Sequence, residues 1–206
     1  MDMGLSRLQN AVVDMAGLAQ ESVMKAIQAY TKGEKITQEA LKRANELSTL
    51  AAEVDELAVE LLARYQPVAT DLRFIKSCLE IAYGFSRFGR YAWDIAQVLD
   101  IYGDLSECDK SLVQDLSVKV SKMIETSIES FKTRDTKLAR SLRLEDDQVD
   151  KTYLDYNKQL AAGISKSISV KCALTSLLVL RYLERIADHA CYIGDSVVYI
   201  TTATKV

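Results

Sequence analysis

Four acidic residues fall into two pairs at helical spacing: Asp146 with Asp150, and Glu184 with Asp188. On a helix, positions i and i+4 lie one turn apart and differ by only 40° in direction, so each pair occupies a single face. The neighbours on those faces are apolar. Val170, Ala173, Leu177 and Leu180 run in register into Glu184, Asp188, Cys191 and Asp195, while Leu142 shares a face with Asp146, Asp150 and Tyr153. Carboxylates thus interrupt stripes that should face a core. Turned toward one another they repel and lose hydration, a penalty on the order of several kcal/mol per uncompensated ion. Bound cations, raised carboxyl pKa values, or guanidinium groups reaching in from Arg181 and Arg185 would compensate. An all-oxygen donor set suits iron, manganese, magnesium or calcium better than zinc or copper. The alternative is that the four acids line a wet face and are tied in surface ion pairs. His189 is the only histidine, which excludes chemistry that needs several imidazoles.

The elements that would carry these residues are helices. Only 8 Gly and 1 Pro occur in 206 residues, a composition that argues against an all-β fold. Breaks fall near Lys32-Gly33-Glu34, Gln66-Pro67, Tyr102-Gly103-Asp104, Thr133-Arg134-Asp135 and Gly163. Between them apolar residues recur at three and four, as in Leu72, Ile75, Leu79 and Ala82. The expectation is an all-α protein of six long helices. The two halves also match. Ser86-Arg87-Phe88-Gly89-Arg90 aligns with Glu184-Arg185-Ile186-Ala187-Asp188, and Val54-Asp55 aligns with Val149-Asp150, in the same order. This points to a tandem duplication of a three-helix unit, giving two pseudo-symmetric antiparallel bundles over residues 1–103 and 104–206. In the first half Asp55 keeps its acid, but Ala51, Ser86 and Arg90 stand where Asp146, Glu184 and Asp188 stand in the second. Arg90 would either pair with Asp55 or face solvent.

A net charge of −3 argues against nucleic acid as a partner. The longest charge-free runs, Cys172–Leu180 and Ser196–Thr204, hold nine residues each, against the roughly 20 a membrane-spanning helix requires. The start, Met1-Asp2-Met3-Gly4-Leu5, lacks the basic and apolar pattern of a secretion signal. A cytoplasmic location is expected, including attachment to the inner face of a membrane through a partner. The cysteines at 78, 108, 172 and 191 show no paired spacing and read as reduced and buried.

The run Gln66-Pro67-Val68-Ala69-Thr70-Asp71-Leu72-Arg73, followed by Ser86-Arg87-Phe88-Gly89-Arg90, resembles the motifs of the PhoU family of phosphate-uptake regulators. Asp146-Asp147-Gln148-Val149-Asp150 and Leu183-Glu184-Arg185-Ile186-Ala187-Asp188-His189-Ala190 are similar to the family's second-repeat motifs. The resemblance implies paired three-helix bundles, each able to hold a multinuclear metal cluster, often iron. Carried over by position, the metal ligands are Asp146, Asp150, Glu184 and Asp188. In the first bundle only Asp55 matches; Ser86 and Arg90 mark a degenerate site. The resemblance further implies a non-catalytic, often dimeric regulator that restrains a phosphate ABC transporter and, in many bacteria, a sensor kinase. The competing reading is a ferritin-like di-metal enzyme built on the same four acids, although its usual Glu-x-x-His pairs are missing.

Other residues have plainer expectations. His189 should make an inter-helix hydrogen bond and Trp93 should be core. Tyr153 is placed to cap the acidic cluster through its hydroxyl. Pro67 should set the beginning of the third helix, and Glu125 and Glu129 should be solvated.

Overall fold

The computed structural model describes residues 1–163 and 168–204; residues 164–167 and 205–206 of the second expected unit lie outside these. Six helices form: α1 (Asp2–Lys32), α2 (Thr37–Tyr65), α3 (Ala69–Tyr102), α4 (Ser111–Thr133), α5 (Thr136–Ala161) and α6 (Val170–Thr202). Helices α1–α3 make one antiparallel bundle and α4–α6 the other. The bundles join through α3 against α6 and α1 against α4, while α2 and α5 stay on the outer flanks.

Local chemistry sets the helix ends. Gly33 closes α1 and Gly103 closes α3, each at a positive φ that costs glycine little. The Asp135 carboxylate accepts from the Lys137 and Leu138 amides at the start of α5, and the Ser169 hydroxyl accepts from the Cys172 amide at the start of α6. Val68 is the N-cap of α3, so Pro67 stands just ahead of the helix, where its missing donor costs nothing.

One apolar core runs through both bundles and draws on all six helices. Phe74 of α3 stacks on Phe131 of α4 with ring centres 6.4 Å apart, and Tyr91 of α3 stacks on Tyr182 of α6 at 6.4 Å. Glu125 and Glu129 are exposed on α4, with Gln20 of α1 donating to Glu125. Among the described residues, no helix is long and apolar enough to cross a membrane.

The expectation of four free thiols holds for Cys78 and Cys191, both buried, and fails for the other two. Cys108 and Cys172 form a disulfide that ties the α3–α4 connection to the first turn of α6, 64 residues further along the chain. No spacing rule could reveal this pair, because the bridge depends on how the second bundle folds back beside the end of the first.

Close helix packing depends on absent side chains. A Cβ at Gly194 of α6 would stand 2.8 Å from Leu142 Cδ1 and 2.9 Å from the Ala139 carbonyl oxygen of α5. The carbonyl cannot move without shifting the helix that carries Asp146 and Asp150. Gly17 of α1 meets nothing within 4 Å. In thermal denaturation Gly194→Ala should therefore destabilise the protein by about 1–3 kcal/mol, while Gly17→Ala should stabilise it by about 0.5–1 kcal/mol through helix propensity.

Candidate functional site

The four acids lie where the outer helix α5 packs on the central helix α6. One carboxylate oxygen from each of Asp146, Asp150 and Asp188 falls within 4.8 Å of the others. A cation bonded to each at about 2.1–2.5 Å accommodates such oxygen–oxygen separations. One Asp146 oxygen is buried and has no hydrogen-bond partner. Oxygen-only donors, three converging carboxylates and an unpartnered buried acceptor together fit a hard metal ion.

Glu184 is placed differently. It is the most buried of the four, at 7% exposure, and its Oε1 accepts from Arg181 Nη1 at 2.7 Å. Its Oε2 is buried without a hydrogen bond, 3.5 Å from Arg185 Nε. Arg185 Nη1 in turn donates to Asp188 at 2.8 Å. The structure thus gathers three of the four acids directly, and two arginines stand against the remaining charge.

The electrostatics follow from crowding in a half-dry site. Burial, reinforced by Asp150 and Asp188, pushes the Asp146 carboxyl up to about 6. Burial, reinforced by Asp188 and opposed by Arg181, pushes Glu184 up to about 7. Asp150 and Asp188 are raised for the same first reason, burial.

A cleft of about 540 Å³ opens beside the trio and is lined by Asp146, Asp188, Asp195, Arg143 and Arg185, with Tyr83 of α3 across from them. Arg143 Nη2 donates to Asp195 at 2.7 Å, joining α5 to α6 at the edge of the site. Arg143 is absent from the sequence-based set. Its position one turn before Asp146 was the available sign.

Several expectations are corrected by the geometry. Among the described residues His189 makes no inter-helix hydrogen bond; its Nδ1 is buried without a partner there. Its ring lies 5.9–6.4 Å from those of Tyr83, Tyr91 and Tyr192, and burial, aided by Arg87, lowers it to about 4. Tyr153 offers its ring to the Arg181 guanidinium at 5.3 Å rather than its hydroxyl to the acids. In the first bundle Asp55 is exposed. Arg90 does not reach it and pairs with Asp94 on its own helix at 3.3 Å. Ser86 donates to the Tyr83 carbonyl at 2.8 Å. Trp93 is only half-buried and carries the Arg90 guanidinium over its ring at 4.3 Å.

Two tandem three-helix bundles with a carboxylate site between the outer and central helices of the second define a class of duplicated helical proteins. The PhoU domain model matches the chain twice, over residues 12–99 and 113–197, and the chain belongs to the PhoU family. It is similar to the phosphate-specific transport system accessory protein PhoU homolog 1 of Methanothermobacter thermautotrophicus, at 27% identity over 97% of this chain and 94% of that protein. The corresponding homolog 1 of Thermotoga maritima is 29% identical over 96% and 87%. The crystal structure of PhoU from Pseudomonas aeruginosa superposes with a TM-score of 0.90 at 27% identity, covering 98% of this chain and 99% of that one. The Streptococcus pneumoniae PhoU structure superposes at 0.91 with 21% identity, a likeness of fold. These relatives are named as accessory proteins of a transport system, not as enzymes.

The raised carboxyl values carry a sign. Glu184 titrates near 4.5 when unfolded and near 7 when folded without metal. The folded state therefore binds more protons between those values, and this group's contribution to stability falls as pH rises through them. His189, with its folded value below its unfolded one, acts in the opposite sense below about pH 6.5. Comparing wild type with Glu184→Gln in metal-free protein separates the two. The variant's stability relative to wild type should rise by on the order of 1–3 kcal/mol from pH 5 to pH 8 in denaturant titrations.

Proposed function

We propose that this protein is a non-catalytic regulator of phosphate uptake and homeostasis. It acts by binding a phosphate ABC transporter or the sensor kinase associated with it, and it works as a homodimer in the cytoplasm, at the inner face of the membrane when engaged with its partner. The observation that carries this reading is the double PhoU match along both bundles, supported by relatives named as accessory proteins of a phosphate-specific transport system. The carboxylate site adds a structural control. Asp146, Asp150 and Asp188 would hold a multinuclear cluster, iron foremost, with manganese, magnesium or calcium as other hard cations, and Glu184 would join them by releasing Arg181. A bound cation supplies positive charge that cancels the repulsion between α5 and α6.

The residues of this chain then set what that charge does. Asp146 and Asp150 approach from the outer helix and Asp188 from the central one, so occupancy fixes the spacing of the two helices. Arg181 and Arg185 hold Glu184 and Asp188 and keep the site closed to bulk charge when it is metal-free. The outer face of the second bundle is thereby held in one shape for a partner to read.

In a host lacking this gene, phosphate-starvation genes should be expressed in phosphate-rich medium, and the wild-type gene should restore repression. Transporter subunits should co-purify with the wild-type protein, and Asp146→Asn with Asp188→Asn should weaken that association about tenfold or more. Unchanged phosphate uptake and unchanged repression on deletion would overturn the regulatory reading.

A further inference from the structure

The first bundle carries a second pocket, of about 270 Å³, between α2 and α3. Its polar lining is Asn45 and Ser48 from α2 with Ser86, Arg87, Arg90 and Trp93 from α3. Among the described residues no carboxylate lines it. The α2–α3 pocket occupies the position in the first bundle that the acidic cleft occupies in the second: Arg87, Arg90 and Trp93 align with Arg185, Asp188 and Cys191, which line that cleft. Duplication has kept the concavity and reversed its charge. Tyr83 lines both pockets, so the two are neighbours.

Several donors here are free to take an anion, although the Ser86 hydroxyl already donates to the Tyr83 carbonyl. Arg90 uses only its Nε on Asp94, which leaves both terminal nitrogens available among the described residues. Arg87 places one terminal nitrogen on the Tyr91 hydroxyl at 3.0 Å, and its guanidinium packs over the Tyr91 ring at 4.9 Å, which fixes its direction. The indole N–H of Trp93 is buried with no acceptor, while the Arg90 guanidinium stacked on the ring holds the indole in place. Arg87 and Arg90 stand one turn apart on α3, and the amide of Asn45 and hydroxyl of Ser48 face them from α2. Planar guanidinium forks with added neutral donors on the opposite wall match a tetrahedral oxyanion that presents acceptors on several sides, better than a planar carboxylate.

We propose that the α2–α3 pocket binds a phosphoryl oxyanion, held by Arg87 and Arg90 and lined by Asn45, Ser48, Ser86 and Trp93. This site is distinct from the proposed carboxylate metal site, although Tyr83 lies on the wall of both. The position that carries acids in the second bundle thus carries guanidinium and hydroxyl groups in the first.

Trp93 is the only tryptophan, so its fluorescence reports on the pocket. Inorganic phosphate should be titrated into full-length protein treated with chelator, at low ionic strength, by fluorescence and by calorimetry. A saturable change with one phosphate per chain is expected. Arg90→Gln and Ser86→Glu should each weaken binding about tenfold or more, whereas Asp146→Asn with Asp188→Asn should leave it unchanged. Both first-bundle substitutions lie at solvent-accessible positions, and circular dichroism checks that each variant is folded. Arg90→Lys, which keeps the charge without the fork, should bind better than Arg90→Gln. Methyl phosphate separates the sources of the ligand: equal binding marks an esterified headgroup or metabolite, and binding of inorganic phosphate alone marks the free ion, either of which supports the site. No saturable binding, equal binding by wild type and both first-bundle variants, or loss only in the Asp146/Asp188 variant would overturn it. Because the readout uses the isolated, metal-free chain, its failure leaves the regulatory reading untouched.

Discussion

Crowding of like charge in a half-dry seam is the constraint around which the second bundle is built. Asp146 and Asp150 are carried on α5, whose approach to α6 is set by Leu142 and by the bare backbone at Gly194. Glu184 and Asp188 sit on α6 among Leu183, Ile186, Ala187 and Ala190, all fully buried. The apolar contacts hold the helices together whether or not the acids are comfortable. Charge must therefore be settled locally, by protonation, by Arg181 and Arg185, or by a cation. A protein selected only for stability would place apolar residues there. Four acids in that seam cost the metal-free protein stability, a cost that a bound cation of the kind proposed would offset.

The first bundle shows the other outcome of the same architecture. Without three of its acids it has no repulsion to settle, and its α2–α3 surface instead presents guanidinium groups, hydroxyls and an indole. The charge reversal between Asp188 and Arg90 is carried on central helices that touch each other directly. Tyr83 and Tyr91 of α3, with His189 and Tyr192 of α6, form an aromatic layer between the two surfaces.

Much of this was legible in the sequence, and the reasons for the rest are physical. Scarcity of Gly and Pro, with apolar residues at three and four, was enough for six helices because helix pattern is local. Gly33, Pro67, Gly103 and Arg134 mark ends that the structure reproduces, since cap chemistry is local as well. The pairing of Asp146 with Asp150 on one face follows from helix geometry. What periodicity cannot supply is distance between helices and the choice among partners. Arg90 was expected to pair with Asp55 or face solvent; it pairs instead with Asp94, one turn along its own helix, a partner that helical spacing itself offered. Glu184 shares a face with Asp188, yet the nearby Arg181 turns it away from the trio. The Cys108–Cys172 bridge is likewise a tertiary fact. His189 and Trp93 were misplaced because a polar group on an apolar stripe was assigned to the core or to a partner, whereas both end in aromatic or cationic stacks at pocket walls.

The central claim, that Asp146, Asp150 and Asp188 converge to hold a cation, is tested most directly by anomalous diffraction from crystals of the protein grown with iron or manganese at neutral pH. The account predicts anomalous density between α5 and α6 within bonding distance of oxygens from all three aspartates, with Glu184 turned toward it. Crystals that take up metal elsewhere, or none, while Arg181 and Arg185 keep their hold on Glu184 and Asp188, would contradict it.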